Sequence, residues 1–369
     1  MKLIKKSDAV AVEGRPNKTA LGHALSRREF LRKSGLAAGG SAVASVMTPL
    51  LMRKAEAATP GTIADSKIDI KRGICTHCSV GCGVIAEVRN GVWIGQEPAM
   101  DHPFNMGAHC AKGASVREHG HGERRLKYPT KLVNGKWTRV PWDAAIDEIS
   151  KQLLAIRERS GPDSVYWLGS AKHSNEQAYL FRKFAALWGT NNVDHQARIC
   201  HSTTVAGVAN TWGYGAMTNS YNDIHNSKAI LIIGGNPAEA HPVSMLHIFR
   251  AKERNNAPLI VIDPRFTRTA AHADLYIRLR PGSDVAFTWG MLWHIFENGW
   301  EDKEFIQQRV YGMDQIRAEV ARWRPDEVER VSGVREDLVR EAARIMAQHR
   351  PGTFIWCMGG TQHTTGNNN

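Results

Sequence analysis

Six cysteines, at 75, 78, 82, 110, 200 and 357, are spread over the 369 residues, and four of them share one pattern. Residues 73–83 read GICTHCSVGCG, a Cys75-x2-Cys78-x3-Cys82 loop, and Cys110 follows after a further 27 residues. Three thiolates in a tight loop can converge on one polynuclear centre, with a fourth from a distant loop closing it. Four cysteine thiolates are the ligand set of iron–sulfur cubanes. Zinc also accepts four cysteines, usually from two CxxC knuckles, and here the second half is a single residue. An even cysteine count is compatible with disulfides in an exported chain, although this spacing argues against them. His77, inside the loop, reads as a solvated loop residue. Lys112 follows Cys110 closely and reads either as a surface charge or as a bridge from the cysteine centre to a second cofactor.

A second pair lies in the stretch RICHSTT, where Cys200 and His201 are adjacent. A thiolate is a ligand for a soft metal. An imidazole beside it can take or orient a proton near neutral pH. Taken alone, the pair reads more simply as an inert buried thiol next to a core histidine. Cys357 falls inside the apolar run 354–358 and reads as a buried strand residue with no chemistry.

These residues need elements to hold them. Residues 83–88 and 92–94 are strand-like and flank Arg89-Asn90-Gly91, a hairpin signal, so 60–125 is expected to be a small β-rich module. From about residue 140 the pattern alternates. Trp142–Ser160 carries Ala145, Ile149, Leu153 and Ile156 at helical spacing, and 165–168 reads as a strand before a helix over 176–187. Ala229–Ile233, Leu259–Ile262 and 354–358 are short all-apolar runs, as in buried parallel strands. Helices are expected over 242–253, 285–297 and 335–349 between and beyond them. The alternation predicts a doubly wound α/β sheet, whose ligands bind beyond the carboxyl ends of the strands. The polar and glycine-rich segments fall there: Gly234-Gly235-Asn236-Pro237, Asp263-Pro264-Arg265 and Gly359-Gly360. None is the GxGxxG fingerprint of a nicotinamide fold.

The formal net charge is +12, but residues 1–57 contribute +7 of it through eleven Lys/Arg against four Asp/Glu. The remaining +5 includes no basic run interleaved with aromatics, which excludes a nucleic-acid partner. Within 1–57, Ser26-Arg27-Arg28-Glu29-Phe30-Leu31 precedes a Gly/Ala-rich apolar stretch and then Ala55-Glu56-Ala57. That order reads as a twin-arginine export signal, too short and glycine-rich to span a membrane. The route exports folded proteins, which suits one that acquires its cofactors first.

Together these features resemble the molybdenum/tungsten bis(molybdopterin guanine dinucleotide) oxidoreductases of the dimethyl-sulfoxide-reductase superfamily, and within it the catalytic α subunits of respiratory formate dehydrogenases. The resemblance rests on the four-cysteine spacing, on Cys110-Ala111-Lys112-Gly113, on Arg198-Ile199-Cys200-His201, and on the glycine and aspartate turns just quoted. Pro281-Gly282-Ser283-Asp284 and Met358 to His363 add to it. It implies a small β-rich [4Fe-4S] module followed by doubly wound, Rossmann-like α/β domains that bind a molybdopterin. The implied division is a signal peptide over 1–57, the cluster module over 60–125 and a pterin-binding region over 126–369.

By resemblance, Cys75, Cys78, Cys82 and Cys110 would hold the [4Fe-4S] cluster, and Lys112 would relay electrons between it and one pterin. Cys200 would ligate molybdenum or tungsten, with His201 beside it in the substrate pocket. Asn236, Asp263 and Asp284 would seat guanine-dinucleotide tails, with Gly235, Arg265 and Gly282 in the same turns. Met358, Gly359, Gln362 and His363 would lie near a pterin. The implied reaction is oxidation of formate to carbon dioxide in periplasmic respiratory electron transport. The implied partners are an iron–sulfur β subunit, a membrane cytochrome b-type γ subunit and the twin-arginine export machinery. The family's α subunits are longer, so the chain reads as an N-terminal fragment, and the arginine that holds formate is expected beyond residue 369. A nitrate- or polysulfide-type reductase and a non-catalytic electron-transfer subunit are the alternative readings.

Overall fold

The computed structural model describes residues 67–369. The export signal expected over 1–57 therefore lies outside the described residues, as do the first residues of the module expected over 60–125. Three strands, β1 (Asp69–Ile74), β2 (Gly83–Arg89) and β3 (Val92–Pro98), form an antiparallel sheet in that order. Between β2 and β3, Asn90 and Gly91 stand at φ 51° and 76°. Two positive values are what a type I′ turn requires, and its twist matches the strands it joins. The cysteine loop connects β1 to β2. Helices Ala111–Ala114 and Val116–His121 follow Cys110, and the second packs on β3.

Next come the hairpin β4 (Thr130–Val133) and β5 (Lys136–Arg139), helix Trp142–Ser160, and a 3-10 turn. β6 (Trp167–Gly169) and β7 (Val193–His195) form a parallel pair, joined through helix Asn175–Trp188. Ser174 and Gln177 close a capping box at that helix's start, satisfying donors the first turn would leave unpaired. The apolar stripe of Trp142–Ser160 is only partly covered: Ala145, Leu153 and Ile156 are half-buried, while Ile149 is 58% exposed.

The main sheet is parallel and ordered β10 (Leu275–Ile277), β9 (Leu259–Ile262), β8 (Ala229–Ile233), β11 (Gly352–Trp356). β8 and β9 are apolar at every position because helices cover both faces. Leu231, Ile233, Ile260 and Ile262 pack against helices Asp284–Glu297, Pro325–Ser332 and Glu336–Gln348. Ile230, Ile232, Leu259 and Val261 pack against helix Met245–Asn255 on the opposite face. Each such buried side chain contributes about 2 kcal/mol, which makes this sheet the rigid part of the molecule. The chain runs β8, β9, β10 in one direction and then returns to β11 on the other side of β8. That reversal makes the carboxyl ends of β8 and β11 a topological switch point.

Two expected strands are displaced. The strand expected over 165–168 is Trp167–Gly169, because the turn Pro162–Ser164 takes up the residues before it. The strand expected over 354–358 is Gly352–Trp356, in register with Ala229–Ile233. Cys357 is consequently not a strand residue. The chain leaves the sheet there so that Gly359 N–H can donate to Gly234 O at 3.0 Å. Among the described residues no helix is long and apolar enough to cross a membrane.

Candidate active site

The four clustered cysteines converge. Cys75 N–H donates to Cys82 O at 2.8 Å and closes the loop, with Gly81 N–H donating to Cys78 O at 3.3 Å. Cys75 and Cys82 are buried among Val80, Val84, Val116 and Val243, with Cys78 and Cys110 packed against them. Cys110 is brought in by a residue that carries no sequence signal. Asn105 is fully buried. Its Oδ1 accepts from Gly83 N at 2.8 Å, and its Nδ2 donates to Gly83 O at 3.2 Å and to Ala108 O at 3.0 Å. Gly83 follows Cys82 and Ala108 precedes Cys110 by two residues, so one amide ties together the two halves of the cysteine set. From the α/β body, His247 Nε2 donates to Phe104 O at 2.8 Å and Lys172 Nζ to Thr76 O at 2.7 Å. His77 is not the solvated residue expected: it is half-buried and in contact with Cys75 Sγ at 3.3 Å and with His119 Nε2 at 2.7 Å.

This donor set suits a cluster. All six cysteines are free thiols. Burial, and then the thiols of Cys78, Cys75 and Cys110, push the Cys82 thiol up to about 12. A cationic iron centre is what relieves four thiolates gathered in an apolar shell.

Cys200 reaches the switch point from another direction. It ends helix Ala197–Cys200, directly after β7, and helix Ser202–Trp212 follows. Threonines lock that second helix onto the segment after β11. Thr204 Oγ1 bonds Thr361 Oγ1 at 2.8 Å and accepts from Trp356 Nε1 at 3.2 Å, and Thr203 Oγ1 donates to Thr361 O. The result sets Cys200 Sγ 3.7 Å from Met358 Sδ, and Gln362 Nε2 donates to Cys200 O at 3.1 Å. His201 is half-buried, and its ring makes no hydrogen bond among the described residues. His363 Nε2 is 3.8 Å from the buried carboxylate of Asp284, at the N-terminus of helix Asp284–Glu297. The expected residues Cys200, Met358, Gln362, His363 and Asp284 are thereby drawn to one end of the sheet.

The glycines at that end stand backbone to backbone. A Cβ on Gly359 would lie 2.5 Å from Gly234 Cα, and one on Gly235 would lie 2.8 Å from Cys357 Sγ. Such contact leaves no room for side chains and exposes backbone amides to a ligand, as a pterin or phosphate needs. Asn236 Oδ1 accepts from Thr269 Oγ1 at 2.8 Å, and Thr269 Oγ1 accepts from Ala238 N at 3.1 Å. Asp263 is apart from this group: its Oδ1 accepts from Arg265 N at 2.8 Å, closing the turn after β9. Gly282, at φ 81°, has open space where a Cβ would stand. Burial raises the Cys357 thiol above its ordinary range.

Two residues span from the cysteine centre to the switch point. Lys112 Nζ donates to Glu239 O at 3.2 Å and Ala240 O at 2.9 Å, in the turn after β8. Tyr221, which the sequence did not mark, bonds Ser79 Oγ at 2.8 Å. Burial, with the thiols of Cys78, Cys357 and Cys82 nearby, raises its hydroxyl above its usual range. His241 is held below its usual value by burial and by Lys112. The arrangement offers a thiol-lined centre, a lysine and a tyrosine beyond it, and a backbone cradle with a fifth thiol, Cys200, at its rim.

A family model described as "Molybdopterin oxidoreductase" matches residues 125–369, and one described as "Molybdopterin oxidoreductase Fe4S4 domain" matches residues 69–122. The chain is 39% identical over 304 residues to the F420-dependent formate dehydrogenase 1 subunit alpha of Methanococcus maripaludis, covering 82% of this chain and 44% of that one. It is 32% identical over 424 residues to the nitrate-inducible formate dehydrogenase major subunit of Escherichia coli, covering 94% and 41%. With formate dehydrogenase H of E. coli the identity is 38%, covering 79% and 42%. The chain thus spans less than half the length of these relatives. Among solved structures it resembles acetylene hydratase from Pelobacter acetylenicus, with a TM-score of 0.71 and 27% identity over 81% of this chain and 41% of that one.

Proposed function

The chain belongs to the molybdopterin oxidoreductase family, and we propose on that premise that it is the cofactor-bearing part of a formate dehydrogenase α subunit. The cofactors of its two domains are a [4Fe-4S] cluster and a molybdenum or tungsten pterin. When bound, the metal–pterin would supply a two-electron acceptor for formate oxidation and the cluster a one-electron exit. Cys75, Cys78, Cys82 and Cys110 hold the cluster in this reading. Cys200 supplies a thiolate to the metal, and His201 takes or orients the proton released as formate becomes carbon dioxide. Lys112 is the positively charged bridge between the two centres. In this reading Met358, Gly359, Gln362 and His363 lie near the pterin, and Gly235 lies in the turn of Asn236. Asn236, Asp263 and Asp284, with Arg265 and Gly282, receive guanine-dinucleotide tails.

The observation that carries this reading is the seating of Cys200 against Met358 at the switch point, 3.7 Å sulfur to sulfur, in a chain whose relatives are named formate dehydrogenases. The division into a signal at 1–57, a cluster module at 60–125 and a pterin region at 126–369 is part of the proposal. So are export to the periplasm by the twin-arginine route and electron delivery through an iron–sulfur β subunit to a membrane cytochrome b-type γ subunit. Protein purified without oxygen should reduce a viologen dye with formate and contain iron together with molybdenum or tungsten. Turnover of nitrate with none of formate would overturn the substrate. Iron with neither heavier metal would point to a non-catalytic electron carrier. Mature protein recovered from the periplasm and beginning just after Ala57 would bear out export; an uncleaved cytoplasmic product would contradict it.

A further inference from the structure

Beside the cysteine centre two imidazoles stand in line. His77 Nδ1 lies 3.3 Å from Cys75 Sγ, and His77 Nε2 lies 2.7 Å from His119 Nε2. The rings meet edge to face with centroids 4.6 Å apart. The second ring comes from helix Val116–His121, beyond Cys110, and Arg125 holds its backbone by donating to His119 O at 2.6 Å. Lys172 holds the other side by bonding Thr76 O, next to Cys75, at 2.7 Å. Neither imidazole has a part in the reaction described above.

The chemistry of the sulfur fixes the direction of the chain. A thiolate bound to iron carries no proton and can only accept, so the hydrogen in the Cys75 contact sits on His77 Nδ1. A neutral His77 then accepts at Nε2, and His119 Nε2 donates. His119 thereby sets the tautomer of His77.

We propose that His77, held by His119, donates a hydrogen bond to the Cys75 sulfur and raises the reduction potential of the cluster. This rests on the four cysteines binding a [4Fe-4S] cluster. Reduction adds negative charge to the cluster and its thiolates, and a hydrogen bond to a ligating sulfur stabilises that charge.

Redox titration followed by electron paramagnetic resonance on the cluster-loaded protein reads the effect directly. His77→Ala should lower the midpoint potential with iron and sulfide content unchanged. His77→Asn, whose amide can still donate, should fall between. His119→Ala should shift the midpoint in the same direction by less, because His77 keeps its bond but loses its orientation. Proton ENDOR should show a solvent-exchangeable coupling in the wild type that His77→Ala removes. A midpoint in His77→Ala equal to that of the wild type overturns the proposal. If His77→Ala cannot hold the cluster, His119→Ala decides, and an unchanged midpoint there overturns it. A wild type containing no cluster would instead overturn the reading of the cysteines.

Discussion

Replacing Asn105 by alanine should loosen the cysteine centre before it unfolds the chain. The amide makes three buried hydrogen bonds, two to Gly83 and one to Ala108. At about 1 kcal/mol each in net terms, their loss amounts to about 3 kcal/mol, with more if the Gly83 N–H stays unpaired. The bonds hold only the approach of the Cys110 segment to the Cys82 strand, so the cost falls on local opening there. About 3 kcal/mol is roughly a hundredfold in that equilibrium. When closing is faster than capture, a chelator removes cluster iron at a rate proportional to the open population. Bleaching of the cluster's absorbance under an iron chelator should accordingly accelerate by about two orders of magnitude. Far-ultraviolet circular dichroism should change little at the same temperature, because the core around β8 and β9 does not involve Asn105. Asn105→Asp keeps the acceptor and loses both donors, and should lie between. A bleaching rate in Asn105→Ala indistinguishable from the wild type would refute the view that this residue unites the cysteine set.

Three further outcomes follow from the geometry. Gly359→Ala would force a Cβ to 2.5 Å from Gly234 Cα and 2.7 Å from its carbonyl oxygen; a cost of about 1–3 kcal/mol should appear as a lower melting temperature together with lost pterin content. Lys112→Ala should abolish dye-linked formate turnover with both metals retained, and Lys112→Arg should keep part of it; full turnover in the alanine variant would dismiss the bridge. His247 is buried, donates to Phe104 O, and has its Nδ1 enclosed without a partner among the described residues, and burial lowers its proton affinity. The unfolded chain binds that proton near the ordinary value of 6.5 and the folded chain only at lower pH, so stability is full above 6.5 and declines as pH falls through it. Thermal melting between neutral and mildly acid pH should show the decline, and His247→Gln should flatten it.

Much of this architecture was legible in the residues. β8 and β9 begin and end where the apolar runs do, because a strand covered on both faces has nothing polar to blur its limits. The hairpin at Asn90-Gly91 was readable because its turn demands particular residues. Asn134-Gly135 carries the same signal, at φ 49° and 76°, and marks the β4–β5 hairpin that was not anticipated. β1 and β10 escaped notice for a physical reason: each pairs on one side only, and DIKRGI is exposed along its whole length. The end of β11 was misjudged because apolarity continues into Cys357 and Met358, while the strand is ended by the approach of Gly234 to Gly359 from another part of the chain. In the site, cysteines and glycines stood out by type and spacing. Asn105, Thr269, Tyr221 and the His77–His119 contact did not, since each acts across a fold that no local pattern encodes.

The central claim is that Cys200 carries a metal that oxidises formate while the four other cysteines carry a separate cluster. Metal content and formate-dependent dye reduction, measured side by side on wild type and Cys200→Ala, test it most directly. Turnover is expected in the wild type and none in the variant, with cluster iron and its paramagnetic signal unchanged. Undiminished turnover in Cys200→Ala, or loss of the cluster along with activity, would contradict it.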